Sequence, residues 1–538
     1  VTAPVVIAGA GPVGLALAVG LAHHGVRSVV LEESVRLSEH SRAPGILSRT
    51  LEIFAGWGIV DRFLERGFLL SRPQLWVPGR ETPLLTIDLS PLGEMTRVAG
   101  VLILPQNRTE QLLLEAAQRS GLADVRFDHR VTGFEQDASG VRVTAETGAG
   151  PVEVRGRYLV GCDGAHSVVR ERLGLALEGK TYPTRLLLAD VRVPDARAGL
   201  PWPRMTTQDA GVLGALKIEP GLWRLIASVP AAVTDARSTT DSHVAPLVDA
   251  VLGPGPFDLA WASTFRIHCR TSPAFRRDRV LLAGDAAHIN SPAGGQGMNG
   301  GIQDAHNLAW KLARALAGGH EEALLASYEA ERRPVILTSV DRYTDLLTRG
   351  VLLAPRVVRL GVLGLARIAV GQPLAWRRLL RRAGMLDTRY RASPLISGAG
   401  RLLGARAPDA RVTRGGASRR LHDLAAREAA LLLFDDGRLP GWDVEDIQAR
   451  LHDVPGLAVV RVARAEAAAR PGDVVDVEGA VWRQWRPDPG TAALVRPDAH
   501  VGWMAERPTL AALAAGVRRA VGLPESRAPA AASRDETF

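Results

Sequence analysis

Apolar residues occur along this chain in two kinds of pattern, and each predicts a different sort of sheet. Short unbroken runs at Val5 to Ala8, Ser28 to Leu31 and Val280 to Ala283 suit parallel strands buried on both faces. Between about Gly179 and Thr264, stretches such as RLLLADVRV and GLWRLIASVP alternate between Pro and Gly turns, which predicts antiparallel strands. A helical period begins at Ile302, where apolar residues at 302, 305, 308, 309, 312 and 316 give one buried face. Residues 346–395 read as helical and end in WRRLLRRAGMLDTRYR, a solvated or phosphate-facing surface. From about Ile396 the pattern changes again: AALLLFDD, GLAVVRVARA and AALVRPDAHVGWMAE read as strands with helical stretches between and after them. The closing ESRAPAAASRDETF has the composition of a disordered tail.

Composition narrows the class without naming a chemistry. A chain of 538 residues with 46% hydrophobic and 23% charged residues is long enough for several domains and a large core. Its two cysteines, Cys162 and Cys269, form no CxxC pair, which argues against dithiol or zinc chemistry and fits a cytoplasmic location. The net charge of +9 is carried by arginine, with Lys180, Lys217 and Lys311 the only lysines. Aromatic residues do not interleave with the basic runs, so nucleic-acid binding is not expected. No signal peptide is read at the N-terminus, where the first apolar run is already a strand and turn. The hydrophobic stretch Val351 to Val370 is interrupted by Arg356, Arg359 and Arg367, so no membrane span is expected.

The candidate chemistry lies in two glycine-rich loops. After the first strand, Gly9, Gly11 and Gly14 form GxGxxG. The first permits a tight turn, the second lets a pyrophosphate approach the backbone, and the third lets helix and strand pack closely. Pro12 and Val13 lie inside this motif and open the helix, whose N-terminus favours phosphate. Glu32, followed by Glu33, stands at the end of the second strand, at the spacing of an acid that bonds a ribose. This unit specifies a dinucleotide without saying which. Nearly three hundred residues later, Gly284 and Asp285 follow the strand from Val280, and Pro292, Gly294, Gly295, Gly297, Met298 and Asn299 lead into the helix. A long, flexible molecule held by both loops would explain their separation.

The sequence closely resembles the single-component FAD-dependent aromatic hydroxylases, the group A flavoprotein monooxygenases. It is most similar to the phenol and aromatic-polyketide type with a C-terminal thioredoxin-like domain. The resemblance rests on the first loop, on Gly284-Asp285, and on three segments between them. SRAPGIL places Arg42, and LPQNRTEQLLLEAA places Gln106, at FAD-contacting positions of that family. YLVGCDGAHSVVR resembles its DG motif, with Asp163, Gly164, Ser167 and Arg170. The resemblance gives Val131 a backbone contact to the adenine end, Asp285 the ribityl–pyrophosphate region, and the loop from Pro292 to Asn299 the isoalloxazine. LLASYEAERRP and, near the end, RPDAHVGW are also similar to family segments. One departure is Asp278, where the family often has glycine.

By this resemblance the fold is α/β: a Rossmann-like FAD-binding domain with an inserted antiparallel substrate sheet and a C-terminal thioredoxin-like domain. Its implied boundaries are 1–178 and 266–345 for the two parts of the FAD domain, and 179–265 for the sheet. A helical connector over 346–395, a thioredoxin-like domain lacking CxxC over 396–522, and a tail over 523–538 complete the chain. The implied activity is NAD(P)H-dependent hydroxylation of a phenolic or polycyclic aromatic substrate by O2 through a flavin C4a-hydroperoxide, in antibiotic biosynthesis. Baeyer–Villiger insertion on the same scaffold is one alternative, and a non-catalytic FAD- or drug-binding protein is another. NADH or NADPH, an aromatic substrate and a second copy of the chain are the implied partners. No metal and no catalytic base are assigned; the flavin-facing Pro292, Gly294 and Gly295 stand in their place. His288 reads as a structural histidine under the flavin loop rather than a base. Asp163 reads equally as a cap of the following helix or a nucleotide-binding residue, and Tyr182, Trp223 and His268 are candidates to face the substrate, each with packing as its commoner role.

Overall fold

A computed structural model describes residues 3–524 except 40–42, 78, 195–196, 208–210, 231, 438–441, 465–468 and parts of 353–371. The shortest apolar runs build its central sheet, in the order 276–277, 280–282, 158–161, 5–8, 28–31, 123–126. All pairs are parallel except the edge pair Arg276–Arg277 with Val280–Leu282. The turn between those two edge strands contains Asp278 at φ 51°, a left-handed conformation in which a short polar side chain substitutes for glycine. Strands Val5–Ala8, Ser28–Leu31, Tyr158–Gly161 and Val280–Leu282 are buried throughout, because helices such as Pro12–His23 and an antiparallel sheet ordered 150–156, 141–147, 130–136 both pack into the same core.

Helix Pro12–His23 is almost wholly apolar and buried, and it packs against helix Gln296–Leu316. Small residues allow the close approach: a Cβ on Gly20 would lie 3.0 Å from that of Ala309, and one on Gly301 would lie 2.5 Å from Val13 Cγ2. Helix Gln296–Leu316 starts six residues before the apolar period that marks it in the sequence. Gly295, at φ 66°, turns the chain in, and Asn299 Nδ2 donates to the Gly295 carbonyl at 2.7 Å. A polar first turn is therefore helical through its own side-chain bonds rather than through an apolar face.

The inserted sheet has the order 204–207, 212–219, 222–229, 178–192, 258–271, 288–289. Its long strands Glu178–Arg192 and Asp258–Thr271 are antiparallel, and Arg270 and Thr271 continue into pairing with Ile289 and His288. Alternation divides its residues between two faces. Leu187, Ala189, Val191, Leu225 and Ala227 pack under helix Asp241–Leu252 through Val244, Val248 and Val251. On the opposite face Leu216, Ile218 and Leu222 meet Phe68, Leu70 and Ile103 of a small sheet ordered 45–47, 101–103, 68–70.

Past the inserted sheet and the second loop, the chain enters helix Glu321–Val335, then Asp341–Leu347 flanked by single π-helical segments, then helix Pro373–Ala383. An eight-stranded sheet follows, ordered 397–398, 501–506, 491–495, 430–435, 458–463, 474–475, 411–414, 417–420. Its central strand Ala430–Asp435 is buried on both faces. Leu432 and Phe434 pack with Trp485 and Val501, while Leu431 and Leu433 pack with Trp503 and Val517. Among the described residues no helix is long and apolar enough to cross a membrane. The closing stretch 525–538 and Arg42 lie outside the described residues.

Candidate functional site

Parallel register brings the two loops to one end of the central sheet. Ala8 lies beside Gly161, and Gly161 beside Leu282, so Gly9, Asp163 and Gly284 leave neighbouring strands at the same level. In open α/β sheets this carboxyl end is where ligands bind.

Each glycine of the first loop meets a different demand. Gly9 has φ 98°, and a Cβ there would lie 2.6 Å from the Cys162 carbonyl oxygen. A Cβ on Gly14 would lie 2.0 Å from the Gly9 carbonyl oxygen and 3.3 Å from Ile7 Cγ2, so helix and strand touch through it. A Cβ on Gly11 would meet nothing within 4 Å. The chain has no steric need for glycine at position 11; the open space beside it is a cradle of the kind a pyrophosphate requires. Val13 points away from this space, packed between Gly284 and Gly301. Glu32 Oε2 accepts from Ala10 N at 2.7 Å and Oε1 from Ser34 N at 3.1 Å, which places its carboxylate at the loop. Glu33 is exposed. Glu32 also accepts His129 N through its carbonyl at 2.8 Å, so strand Arg130–Gln136, with Val131 its second residue, starts beside the same turn. Gln106 Oε1 accepts Ala43 N at 3.1 Å and its Nε2 donates to Glu110 at 2.9 Å, fixing the segment that follows Arg42.

Asp163 supports the start of helix Val168–Arg172, whose N-cap residue is Ser167: its carboxylate accepts Ser167 Oγ at 2.6 Å and Val169 N at 3.1 Å. Burial raises its pKa above the ordinary value. Ser167 Oγ accepts Arg170 N at 2.9 Å, and Arg170 Nη1 donates to the Ala286 carbonyl at 3.2 Å, tying this segment to the second loop.

The second loop begins with a short turn at Gly284–Ala286, with Asp285 exposed. It is anchored by a residue the sequence did not single out. Asp304 Oδ2 accepts Gly284 N at 3.1 Å and His288 Nε2 at 2.7 Å, and Oδ1 accepts Arg332 Nε at 2.7 Å. Burial alone would raise the Asp304 carboxyl, but His288 and Arg332 beside it hold it below the usual carboxylate range. Burial alone would lower His288; Asp304 outweighs it and raises the imidazole. A histidine 1% exposed and bonded on both nitrogens, the second to Asn290 at 2.9 Å, is a structural support and not a base.

Asn299 is likewise committed inside the protein. Its Oδ1 accepts Leu47 N at 2.9 Å and Thr50 Oγ1 at 2.7 Å, and its Nδ2 donates to the Gly45 carbonyl at 2.9 Å. It thereby pins the loop to the small sheet that faces the inserted one, with Met298 buried beside it. Pro292, Gly294 and Gly295 are exposed, and Gly297 is half-buried. A Cβ on Gly295 or Gly297 would meet nothing within 4 Å, whereas one on Gly294 would lie 3.0 Å from Tyr343. Two open glycines at a helix N-terminus offer backbone N–H groups to a flat, electron-rich group.

The substrate-facing candidates separate. Trp223 is buried in the core beneath helix Asp241–Leu252, a packing position. Tyr182 packs with Leu186 and Ile267, and its hydroxyl donates to Asp345. His268 bonds Thr181 Oγ1 at 2.9 Å. The face that meets the small sheet instead carries a buried pair: Arg224 Nε and Nη2 each donate to Asp190 at 2.7 Å, with the guanidinium 5.7 Å from the Trp261 ring centroid. Ligand atoms of Glu52, Asp409 and His422 converge elsewhere, but Arg49 and Arg406 already bond the Glu52 carboxylate, a poor setting for a cation.

Two family descriptions match: FAD binding domain over residues 2–343 and aromatic-ring hydroxylase, C-terminal, over 400–524. The chain belongs to the FAD-dependent aromatic-ring hydroxylases. Members of this family are flavoprotein monooxygenases, and FAD is their cofactor. A 12-dehydrotetracycline 5-monooxygenase/anhydrotetracycline 6-monooxygenase of Streptomyces rimosus is 36% identical over 514 residues, 93% of this chain and 95% of the relative. A rifampicin monooxygenase of Streptomyces venezuelae is 33% identical over 512 residues, 93% of this chain and 95% of its own. The structure of aklavinone-11 hydroxylase with FAD and aklavinone superposes with TM-score 0.78 at 25% identity, covering 96% of this chain and 99% of that one. The open cradle at Gly11, the carboxylate of Glu32 and the open glycines 295 and 297 fit the family's cofactor.

Proposed function

We propose that this hydroxylase is an NAD(P)H-dependent monooxygenase that hydroxylates a phenolic, polycyclic aromatic substrate of the polyketide type. The observation that carries the reading is the meeting of both glycine loops at one sheet end, beside the inserted sheet. Relatives matched over nearly their whole length and named for anhydrotetracycline and rifampicin support the substrate class. In this reading the central sheet is a Rossmann-like unit interrupted by the substrate sheet, and the C-terminal sheet is thioredoxin-like without its cysteines.

Bound FAD would supply the redox chemistry: NAD(P)H would be the two-electron reductant, and O2 would give one oxygen atom to the substrate and the other to water. The chain's own residues bind, orient and exclude water. The N-terminus of helix Pro12–His23 and the space at Gly11 receive the pyrophosphate, Glu32 the ribose hydroxyls, and Asp285 the ribityl–pyrophosphate region. Backbone N–H groups near Gly295 and Gly297 place positive potential at the pyrimidine edge of the ring. Loss of the proton from a substrate phenol strengthens its ring as a nucleophile. The apolar contact between the inserted and small sheets keeps water from the reacting oxygen.

The test is purification with FAD, followed by NADH and NADPH oxidation in the presence of hydroxylated anthraquinones and tetracycline-type phenols. Expected are a yellow protein, cofactor oxidation stimulated by substrate, and one labelled oxygen atom from O2 entering the product as a hydroxyl. A lactone product would replace hydroxylation with ring insertion. A yellow protein whose NAD(P)H oxidation no aromatic stimulates would refute the activity.

A further inference from the structure

The helix that starts at the flavin loop carries a polar stripe through an otherwise apolar interior. Gly300, Asp304, Asn307 and Lys311 follow one another at spacings of four, three and four, on one face of helix Gln296–Leu316. Two adjacent residues of helix Glu321–Val335 grip this stripe at two levels. Nearer the loop, Arg332 bonds Asp304 at 2.7 Å and the Gly300 carbonyl at 3.2 Å. One turn further, Glu331 accepts Asn307 Nδ2 at 2.8 Å and Lys311 Nζ at 2.7 Å.

Glu331 is itself held from the C-terminal unit. Arg496 Nη1 and Nη2 donate to its two oxygens at 2.7 and 2.8 Å, and Ser393 Oγ donates at 2.6 Å. Arg496 is oriented in turn by Asp498, whose Oδ1 accepts its Nε at 3.1 Å. Asp498 Oδ2 also accepts Asn307 Nδ2 at 3.0 Å. The Asp498 carbonyl accepts Arg49 Nη2 at 2.7 Å, on helix Ser48–Gly56, directly after the strand that Asn299 pins. Arg496, Glu331, Lys311 and Asp304 are all fully buried. Every one of these contacts is a hydrogen bond to a charged group, where a displaced partner leaves a charge uncompensated.

We propose that Arg496 is a positioning residue for the flavin: bound bidentately to Glu331, it sets where helix Gln296–Leu316 presents its N-terminus. The C-terminal unit thus takes part in cofactor binding without touching the cofactor. This inference rests on the FAD reading above. A planar guanidinium can bridge two carboxylates in one geometry, and an ammonium cannot. Arg496→Lys keeps the charge and loses that constraint.

The test compares Arg496→Lys with Arg461→Lys. Arg461 is also buried, at 4% exposure, but bonds Asp435 at 2.7 Å and Asp473 at 3.1 Å within the C-terminal unit. FAD affinity is measured by fluorescence titration of the apoprotein, together with the absorbance band and midpoint potential of the bound flavin and the melting temperature. Arg496→Lys is expected to raise the FAD dissociation constant by about 3- to 30-fold and to shift the flavin band and potential. Asp498→Asn, a milder change that retains a hydrogen-bonding side chain, is expected to act in the same direction. Arg461→Lys is expected to lower the melting temperature and leave the flavin unchanged. The proposal is overturned if Arg496→Lys, or Asp498→Asn should that variant not fold, retains wild-type affinity and spectrum. It is also overturned if Arg461→Lys perturbs the flavin equally at equal loss of stability. A wild-type chain that takes up no FAD would instead refute the parent reading.

Discussion

Replacing Gly11 with alanine separates the needs of the fold from those of the ligand. Gly11 has φ −69° and ψ −178°, a conformation open to any residue, and a Cβ there meets nothing within 4 Å. Alanine restricts the unfolded chain, a gain of about 0.4–1 kcal/mol, and is a poorer helix N-cap than glycine by an amount of similar size. These terms nearly cancel, so the cofactor-free melting temperature should stay within about 4 °C of wild type. The methyl group, however, occupies the space assigned to the pyrophosphate. Losing one hydrogen bond to a charged group costs about 1.5–3 kcal/mol, which is about 10- to 150-fold in the dissociation constant. The assay is calorimetry with and without FAD alongside a fluorescence titration. At 100 times its dissociation constant FAD stabilises wild type by about 2.7 kcal/mol; a variant bound a hundredfold more weakly gains only about 0.4 kcal/mol at the same concentration. Gly14→Ala supplies the contrast, since its Cβ would lie 2.0 Å from the Gly9 carbonyl oxygen and should disrupt folding without any ligand. Wild-type FAD affinity in Gly11→Ala would refute the assignment of that space.

Three other outcomes are expected. Asp285→Ala, at an exposed position, should purify pale, with FAD lost on dialysis and the melting temperature of the apoprotein unchanged; full yellow occupancy would contradict the role given to Asp285. Arg224→Met should destabilise the protein by about 3–5 kcal/mol, because it strands the buried Asp190 carboxylate. Adding Asp190→Leu should restore part of that loss in denaturant titrations. His500, 2% exposed, has its pKa lowered to about 4, by burial against the pull of Asp498. A folded-state value below the unfolded one of about 6.5 makes stability fall as pH drops from 6.5 towards 4. Denaturation midpoints across that window should show a shallower slope for His500→Phe, and an unchanged slope would exclude His500 as a source.

The parts of the site carried by backbone were legible in the sequence, and the parts carried by long-range side-chain pairs were not. Gly9 and Gly14 declare themselves because a tight turn and a close packing exclude other residues at fixed spacing, and Gly11 between them completes the motif although the fold alone does not require it. Helix Gln296–Leu316 was readable from Ile302 onward by its apolar face, but its first turn is held by Asn299 bonds that no period reveals. Asp304, Asn307 and Lys311 looked like the polar side of that helix. They are buried because their partners arrive from Arg332, Glu331 and Arg496, in helices and loops whose meeting only the tertiary fold decides. Asp163 had two readings, and the one at the helix start is visible because its partners lie four and six residues away. Trp223 and His268 share one sheet, and which face each takes depends on pairing registers that contain irregularities.

The order of strands in the central sheet also governs when the protein can be finished. Val5–Ala8 precedes the other strands of this sheet, but strand Val280–Leu282, which leads into Gly284 and lies two places away in the sheet, is synthesised roughly 270 residues later. At translation rates of about 5–20 residues per second, the nascent chain waits roughly 15 s to a minute before that strand can dock. During this interval a partly built sheet exposes an apolar edge, and of the two loops proposed to hold the dinucleotide only the first exists. On the proposed site, cofactor capture is then a late event in the life of the chain, and supplying FAD at that moment should raise the yield of folded protein.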